Sequence, residues 1–166
     1  VYSAYKQIEN SLNVQCIINL QGDMPLISPS HISKVIEPLK NNFSIGTLVT
    51  TLKDHEYKNP NVTKVRVDWN NKKIGEAKEF FRLKNEVYKN IFHHVGIYCY
   101  SINSLRTFVK LPKSENEISL NLEQYRAMDA GLKIGVTFVS DIPPSIDTKE
   151  DLTIIENIIK TNHEKN

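Results

Sequence analysis

The sequence predicts an α/β fold, a three-layer sandwich around a mixed, mainly parallel sheet, carried by a single domain over residues 1–166. Three observations predict it. Short apolar, β-branched runs recur at 14–20, 45–52, 93–100 and 134–139, and stretches of helical periodicity lie between several of them. The first run ends in a turn cluster, Gln21-Gly22-Asp23-Met24-Pro25, where α/β sheets place ligand-bearing loops. A hairpin pattern over 63–77 interrupts the alternation and makes the sheet mixed.

Each element follows from its own residues. Residues 1–13 read as a helix and connector leading into a buried strand at 14–20, an opening that resembles the middle of a domain. Ser30 is expected to cap a helix in which Ile32, Val35, Ile36 and Leu39 share a face and Pro38 marks the last turn. Residues 45–52 form a second strand, and 54–61, polar and containing a proline, a loop. Strands at 63–69 and 73–77 flank an Asn70-Asn71 turn, and 84–90 is a loop or arm. Aromatic and β-branched content makes 93–100 a strand. A short helix at 101–110 precedes a longer one at 117–130, closed by Gly131. Strand 134–139 and a final helix at 148–160, with Leu152, Ile155 and Ile159 on one side, complete the order.

Composition narrows the function classes. With 40% hydrophobic and 24% charged residues, the chain can bury one core. Its formal charge of +2 is spread through mixed-sign stretches, so no nucleic-acid partner is expected. The apolar runs fall far short of the ~20 residues that span a bilayer, so no membrane insertion is expected. Cys16 and Cys99 sit in apolar and aromatic runs as small buried side chains do, which fits a reduced, cytoplasmic setting. Zinc spacing, a Walker loop, a dinucleotide fingerprint and a nucleophile elbow are all absent from the sequence.

Two aspartates stand where chemistry could occur. Asp23 follows a buried strand, with Gly22 allowing a close turn; it reads as a turn former or a metal ligand. Asp147 or Thr148, followed three residues later by an acid, reads as a helix cap or, for Asp147, a second ligand. Taken singly, each spacing favours the structural role. Both follow sheet strands, however, and two carboxylates at one sheet edge suit an octahedral Mg²⁺ that keeps water and substrate oxygens. His94, Tyr98, Glu123, Gln124 and Arg126 form a further set, in which His93 and His94 would point to opposite faces of a strand.

Together these segments resemble the CMP-KDO synthetase (3-deoxy-manno-octulosonate cytidylyltransferase) family. The residues that carry the resemblance are Asn19 to Pro25, Asn59-Pro60-Asn61 with Lys64, Phe80 and Arg82, His94 to Tyr98, Leu122 to Arg126, and Ile146 to Leu152, in the family's order. Met24 stands where that pattern usually has Glu, Phe81 where it has Ser, and the Ile-Pro expected after Arg82 is missing. The resemblance implies a nucleotide-diphospho-sugar transferase-like fold, N-terminally truncated, with the strand and basic loop that bind the CTP base and triphosphate lying before Val1.

It implies further that CTP and KDO react to give CMP-KDO and pyrophosphate for lipopolysaccharide biosynthesis. Asp23 and Asp147 would be catalytic and hold Mg²⁺. Arg82, His94, Tyr98, Glu123 and Gln124 would shape the sugar-acid pocket, and Gln21 would lie near the cytidine or the metal loop. A cytoplasmic homodimer joined through the region from Tyr88 to Tyr100 is also implied. The alternatives are a truncated, inactive sugar-acid-binding or dimerisation domain and a cytidylyltransferase for another acidic sugar.

Overall fold

Strand β2 (Ile45–Thr51) occupies the middle of the sheet because nearly every residue in it can be buried. The computed structural model of the protein describes residues 1–84, 89–146 and 148–163. Along the chain, α1 (Tyr2–Ile8), β1 (Cys16–Asn19) and α2 (Pro29–Lys40) precede β2. After it come α3 (Asp54–Tyr57), β3 (Lys64–Trp69), β4 (Ile74–Phe81), β5 (Ile91–Ser101), α4 (Ile102–Phe108), α5 (Glu115–Leu120), α6 (Gln124–Asp129), β6 (Ile134–Phe138) and α7 (Lys149–His163).

The strand order is β1-β5-β2-β6-β4-β3, and β3 also pairs with the first residues of β5, so the sheet curls back on itself. The mixed sheet agrees with expectation, but its expected parallel majority is corrected. Among the described residues β2–β6 is the parallel pairing, and the other pairings are antiparallel. The reason is β5, an 11-residue strand that runs antiparallel between β1 and β2, together with the β3–β4 hairpin. Since β1 and β2 both oppose β5, and β6 runs with β2, strands β1 and β6 deliver their C-terminal loops to one edge.

Two apolar layers make the expected sandwich. On one face Val35 and Met24 pack with Leu48, Val95, Ile97, Cys99 and Val139. On the other, Leu105, Phe108, Leu122 and Ala127 cover Val49, Val65, Phe80 and Val136. The approach of α2 depends on register partners Gly46 and Gly135. A Cβ on Gly46 would lie 2.3 Å from the Val35 carbonyl oxygen, and one on Gly135 would lie 2.5 Å from the Phe43 ring. Neighbouring side-chain-free positions therefore form the floor beneath the end of α2.

Three local expectations change. Ser28, not Ser30, is the N-cap of α2: its backbone is extended, and Pro29 supplies a preset φ at the first helical position. The loop at 54–61 contains the single turn α3. The expected helix over 117–130 is broken into α5 and α6 at Asn121, whose φ of 52° is left-handed, a conformation asparagine tolerates better than most residues. That break lets Leu122 enter the core while Glu123 stays exposed at the start of α6.

Candidate functional site

A cavity of about 900 Å³ lies at the sheet edge where β1 and β6 end. Its size is in the range of small-molecule sites. Gln21, Asp23, Arg82, His94, Tyr98, Glu123 and Gln124 all line it. Seven of the eight expected site residues thus meet there although they are spread over a hundred positions. Asp147, the eighth, lies outside the described residues.

The first wall is the loop after β1. Met24, only 6% exposed, anchors that loop in the apolar layer against Val35 and Val95, which explains how methionine is accommodated where the resembling pattern has glutamate. Gln21 reaches across to β5, its Nε2 donating to the Gly96 carbonyl at 2.6 Å. Asp23 is half-buried; its carbonyl accepts from the Ile146 N–H at 2.9 Å. Its side-chain Oδ1 is buried and receives no hydrogen bond among the described residues. A buried carboxylate oxygen without a donor is costly unless a cation or ligand donor completes it.

The loop after β6 closes the same edge. His31 Nε2 donates to the Asp141 carbonyl at 2.9 Å, while its Nδ1 accepts from the Ser28 hydroxyl at 2.7 Å. The start of α2 is thereby tied to the segment that carries Pro143, Pro144 and Ser145 into the cavity lining. At the head of α7, Thr148 and Asp151 cap one another: the Thr148 N–H donates to Asp151 Oδ2 at 2.8 Å, and the Asp151 N–H to Thr148 Oγ1 at 3.2 Å. Thr148 therefore fills the capping role that the sequence offered to either residue 147 or 148.

The opposite wall comes from β5 and its neighbours. Thr47 lies opposite Tyr98 but Leu48 opposite Val95, so Gly96 and Ile97 bulge out of β5. The His94 and Tyr98 rings meet at a tilt of 46° with 5.4 Å between centroids, and the Phe80 ring meets His94 edge-on at 5.0 Å. Burial, with a smaller push from His93, lowers the His94 pKa to about 3, so this imidazole is neutral. Burial also raises the Tyr98 hydroxyl well above its ordinary value, with Tyr100 and Glu123 adding to the effect. Consistent with opposite orientations, His93 bonds to Glu56 Oε1 at 3.1 Å, whereas His94 bonds to Thr47 Oγ1 at 3.0 Å.

Arg82 is held by one terminal nitrogen, which donates to the Pro60 carbonyl at 3.1 Å and the Asn61 carbonyl at 3.2 Å. Its Nε and Nη2 make no hydrogen bond among the described residues, leaving a fork that matches a carboxylate. Fully buried Lys64 donates to the Asn59 and Arg82 carbonyls, each at 2.6 Å, and burial lowers its pKa. Tyr125 ties α6 to this wall by accepting from the Phe80 N–H and donating to the Phe80 carbonyl. Arg126 does not line the cavity; it pairs with Glu117 and lies over the Phe108 ring.

Sequence reasoning missed Thr47, Lys53 and Glu56. Lys53 and Glu56 line the cavity, and Thr47 stands directly behind His94. A threonine near the start of the buried central strand was a usable signal, because a buried hydroxyl needs a partner. Of the region Tyr88 to Tyr100 through which the resemblance implies a dimer, Tyr88 lies outside the described residues, and the side chains at 95, 97, 99 and 100 are covered within the chain itself. Among the described residues, no helix is long and apolar enough to cross a membrane.

A family model described as cytidylyltransferase matches residues 1–134. The chain is 39% identical over 165 residues to the 3-deoxy-manno-octulosonate cytidylyltransferase of Rickettsia rickettsii (strain Sheila Smith), covering 96% of this chain and 67% of that protein. It is 35% identical over 163 residues to the enzyme of the same name from Chelativorans sp. (strain BNC1), covering 92% and 63%. It thus spans about two thirds of the length of these curated relatives.

A solved CMP:2-keto-3-deoxy-manno-octonic acid synthetase complexed with CTP superposes with a TM-score of 0.81 at 27% identity, covering 94% of this chain and 66% of that one. A UDP-glucose pyrophosphorylase complexed with UDP-glucose shares the fold at a TM-score of 0.63 and 12% identity, covering 96% and 61%. The expected nucleotide-diphospho-sugar transferase-like fold is present.

Proposed function

The chain belongs to the cytidylyltransferase family that includes the 3-deoxy-manno-octulosonate cytidylyltransferases, and on that premise we propose that it takes part in joining CTP to KDO, giving CMP-KDO and pyrophosphate for lipopolysaccharide biosynthesis. The observation that carries the reading is the meeting of Asp23, Arg82, His94, Tyr98, Glu123 and Gln124 around one cavity.

In the reaction the anomeric oxygen of KDO bonds to the α-phosphorus of CTP as the bond to the pyrophosphate oxygen breaks, and the proton of the anomeric hydroxyl is released to solvent. The protein contributes chiefly position and electrostatics. Arg82 offers its free guanidinium edge to the sugar carboxylate. Glu123 accepts from sugar hydroxyls, Gln124 can accept or donate, and neutral His94 accepts. Tyr98, protonated throughout the working range, donates. Gln21, fixed to Gly96, shapes the nucleotide side of the cavity.

Asp23 fits a Mg²⁺ ligand because its buried Oδ1 lacks a donor among the described residues, and Asp147 is proposed as the second ligand. No group of three or more ligating side chains occurs among the described residues, so most of the coordination would come from water and substrate oxygens, as Mg²⁺ prefers. Bound there, the ion would neutralise phosphate charge and favour ionisation of the attacking hydroxyl. A cytoplasmic homodimer belongs to the same proposal; a monomer at high concentration in sedimentation equilibrium would contradict the dimer.

The test is phosphorus NMR of the protein with CTP, KDO and Mg²⁺, accompanied by calorimetric titration of KDO alone. The expected result is CMP-KDO with equimolar pyrophosphate. Binding without turnover would instead favour a sugar-acid-binding role, and the absence of both binding and turnover would overturn the reading. Parallel assays with a sialic acid and an amino analogue of KDO decide between acidic sugars.

A further inference from the structure

We propose that Thr47 is a positioning residue that holds His94 as its Nε2–H tautomer, so that His94 Nδ1 accepts a hydrogen bond from a hydroxyl of the bound sugar acid. The ligand half of this inference rests on the function proposed above; the tautomer half stands on geometry alone.

Thr47 is fully buried in the central strand β2, and its hydroxyl has three neighbours. Its Oγ1 lies 3.0 Å from the Val95 carbonyl, 2.8 Å from the Ile97 carbonyl and 3.0 Å from His94 Nε2. A threonine hydroxyl has one proton, and backbone carbonyls only accept. That proton must therefore go to Val95 or Ile97, which leaves Oγ1 to accept from His94. The imidazole nitrogen facing Thr47 consequently carries the proton, and the other nitrogen carries a lone pair.

The bulge in β5 makes this arrangement possible. By pushing Gly96 and Ile97 out of register, it brings carbonyls 95 and 97 to the same hydroxyl. Threonine suits the position because its β-branched side chain has few rotamers and cannot easily swing the hydroxyl away. The His94 ring is further fixed between Phe80 and Tyr98. Its Nδ1 has no hydrogen-bond partner among the described residues and is not among the fully buried orphan atoms, so it is the polar atom that His94 presents as it lines the cavity. Burial reinforces the neutral form.

The assignment separates His94 from Arg82 in function. An imidazole presenting a lone pair repels a carboxylate and attracts a hydroxyl, so the acid group of the ligand should turn to Arg82 and a hydroxyl to His94.

The experiment is a long-range proton–nitrogen NMR correlation on the ¹⁵N-labelled protein at neutral pH, with the His94 signals assigned by loss in His94→Gln. The expected wild-type pattern is the neutral Nε2–H tautomer, retained in Thr47→Ser and converted to a tautomer mixture in Thr47→Val. An imidazolium or an Nδ1–H form in the wild type overturns the proposal, even if Thr47→Val fails to fold. An unchanged pattern in folded Thr47→Val removes Thr47 from the role. On titration with KDO, the Nδ1 resonance should shift, and affinity should fall roughly tenfold in Thr47→Val but little in Thr47→Ser. Saturation that shifts other cavity residues but not Nδ1 overturns the acceptor role. Absence of any KDO binding, with the tautomer as expected, instead defeats the proposed function and leaves the Thr47–His94 relation intact.

Discussion

The backbone N–H of Ile146 donates to the carbonyl oxygen of Asp23 at 2.9 Å, joining the loop after β6 to the loop after β1. Two stretches more than a hundred residues apart become one rim, and Asp23 stands there with its Oδ1 buried and unpartnered among the described residues. Asp23→Asn should lower CTP turnover about a hundredfold or more, because removing a charge that acts on the transition state costs rate rather than folding. Mg²⁺ should raise the melting temperature of the wild type and have little effect on the variant. A Mg²⁺-induced shift of equal size in Asp23→Asn would exclude the residue as a ligand.

Acid should destabilise the fold through His94. The imidazole has a pKa of about 3 in the folded protein and about 6.5 when unfolded, so the unfolded chain binds the proton more readily. Its contribution is fully present above pH 6.5 and is lost progressively as pH falls from there towards 3, amounting to about 2 kcal/mol by pH 5. Urea denaturation at a series of pH values should show this slope, and His94→Gln should flatten it. An identical slope in both proteins would contradict the burial argument.

Gly46→Ala should be strongly destabilising. The new Cβ would stand 2.3 Å from the Val35 backbone oxygen, and neither β2 nor α2 can yield without disturbing the core on that face. Overpacking of this kind costs about 1–3 kcal/mol, and backbone contact puts this site at the upper end. The urea midpoint should drop accordingly; a variant as stable as wild type would mean that α2 is free to shift.

Replacing Arg82 with Lys keeps the charge but loses the fork. Lysine cannot hold the Pro60 and Asn61 carbonyls while also offering two parallel donors to a carboxylate. KDO affinity should fall roughly tenfold or more, with nucleotide binding nearly unchanged. Calorimetric titration of each ligand separately checks this, and equal losses for both would assign Arg82 a general structural role.

Much of the fold was legible because its signals are local. Apolar runs located the strands, Pro38 lies in the last turn of α2 as expected, and Gly131 with φ of 78° closes the last turn before β6. The cap at Ser28 and the break at Asn121 were less legible, since each depends on a single residue's backbone conformation competing with a continuous helical pattern. The antiparallel majority was not legible at all. An apolar strand buried on both faces looks the same in sequence whichever way its neighbours run.

By itself, the sequence determined which side chains were available for chemistry: an aspartate after a strand, a histidine and tyrosine four apart, and an arginine beyond the hairpin. Only the tertiary structure decided what state each would have there. Long-range packing buried Asp23 Oδ1 without a donor among the described residues, desolvated His94 so that it stays neutral, and placed Thr47 behind it. Desolvation and hydrogen-bond direction arise from neighbours brought together in space, and residues 47 and 94 have no local relation until the bulge in β5 supplies one.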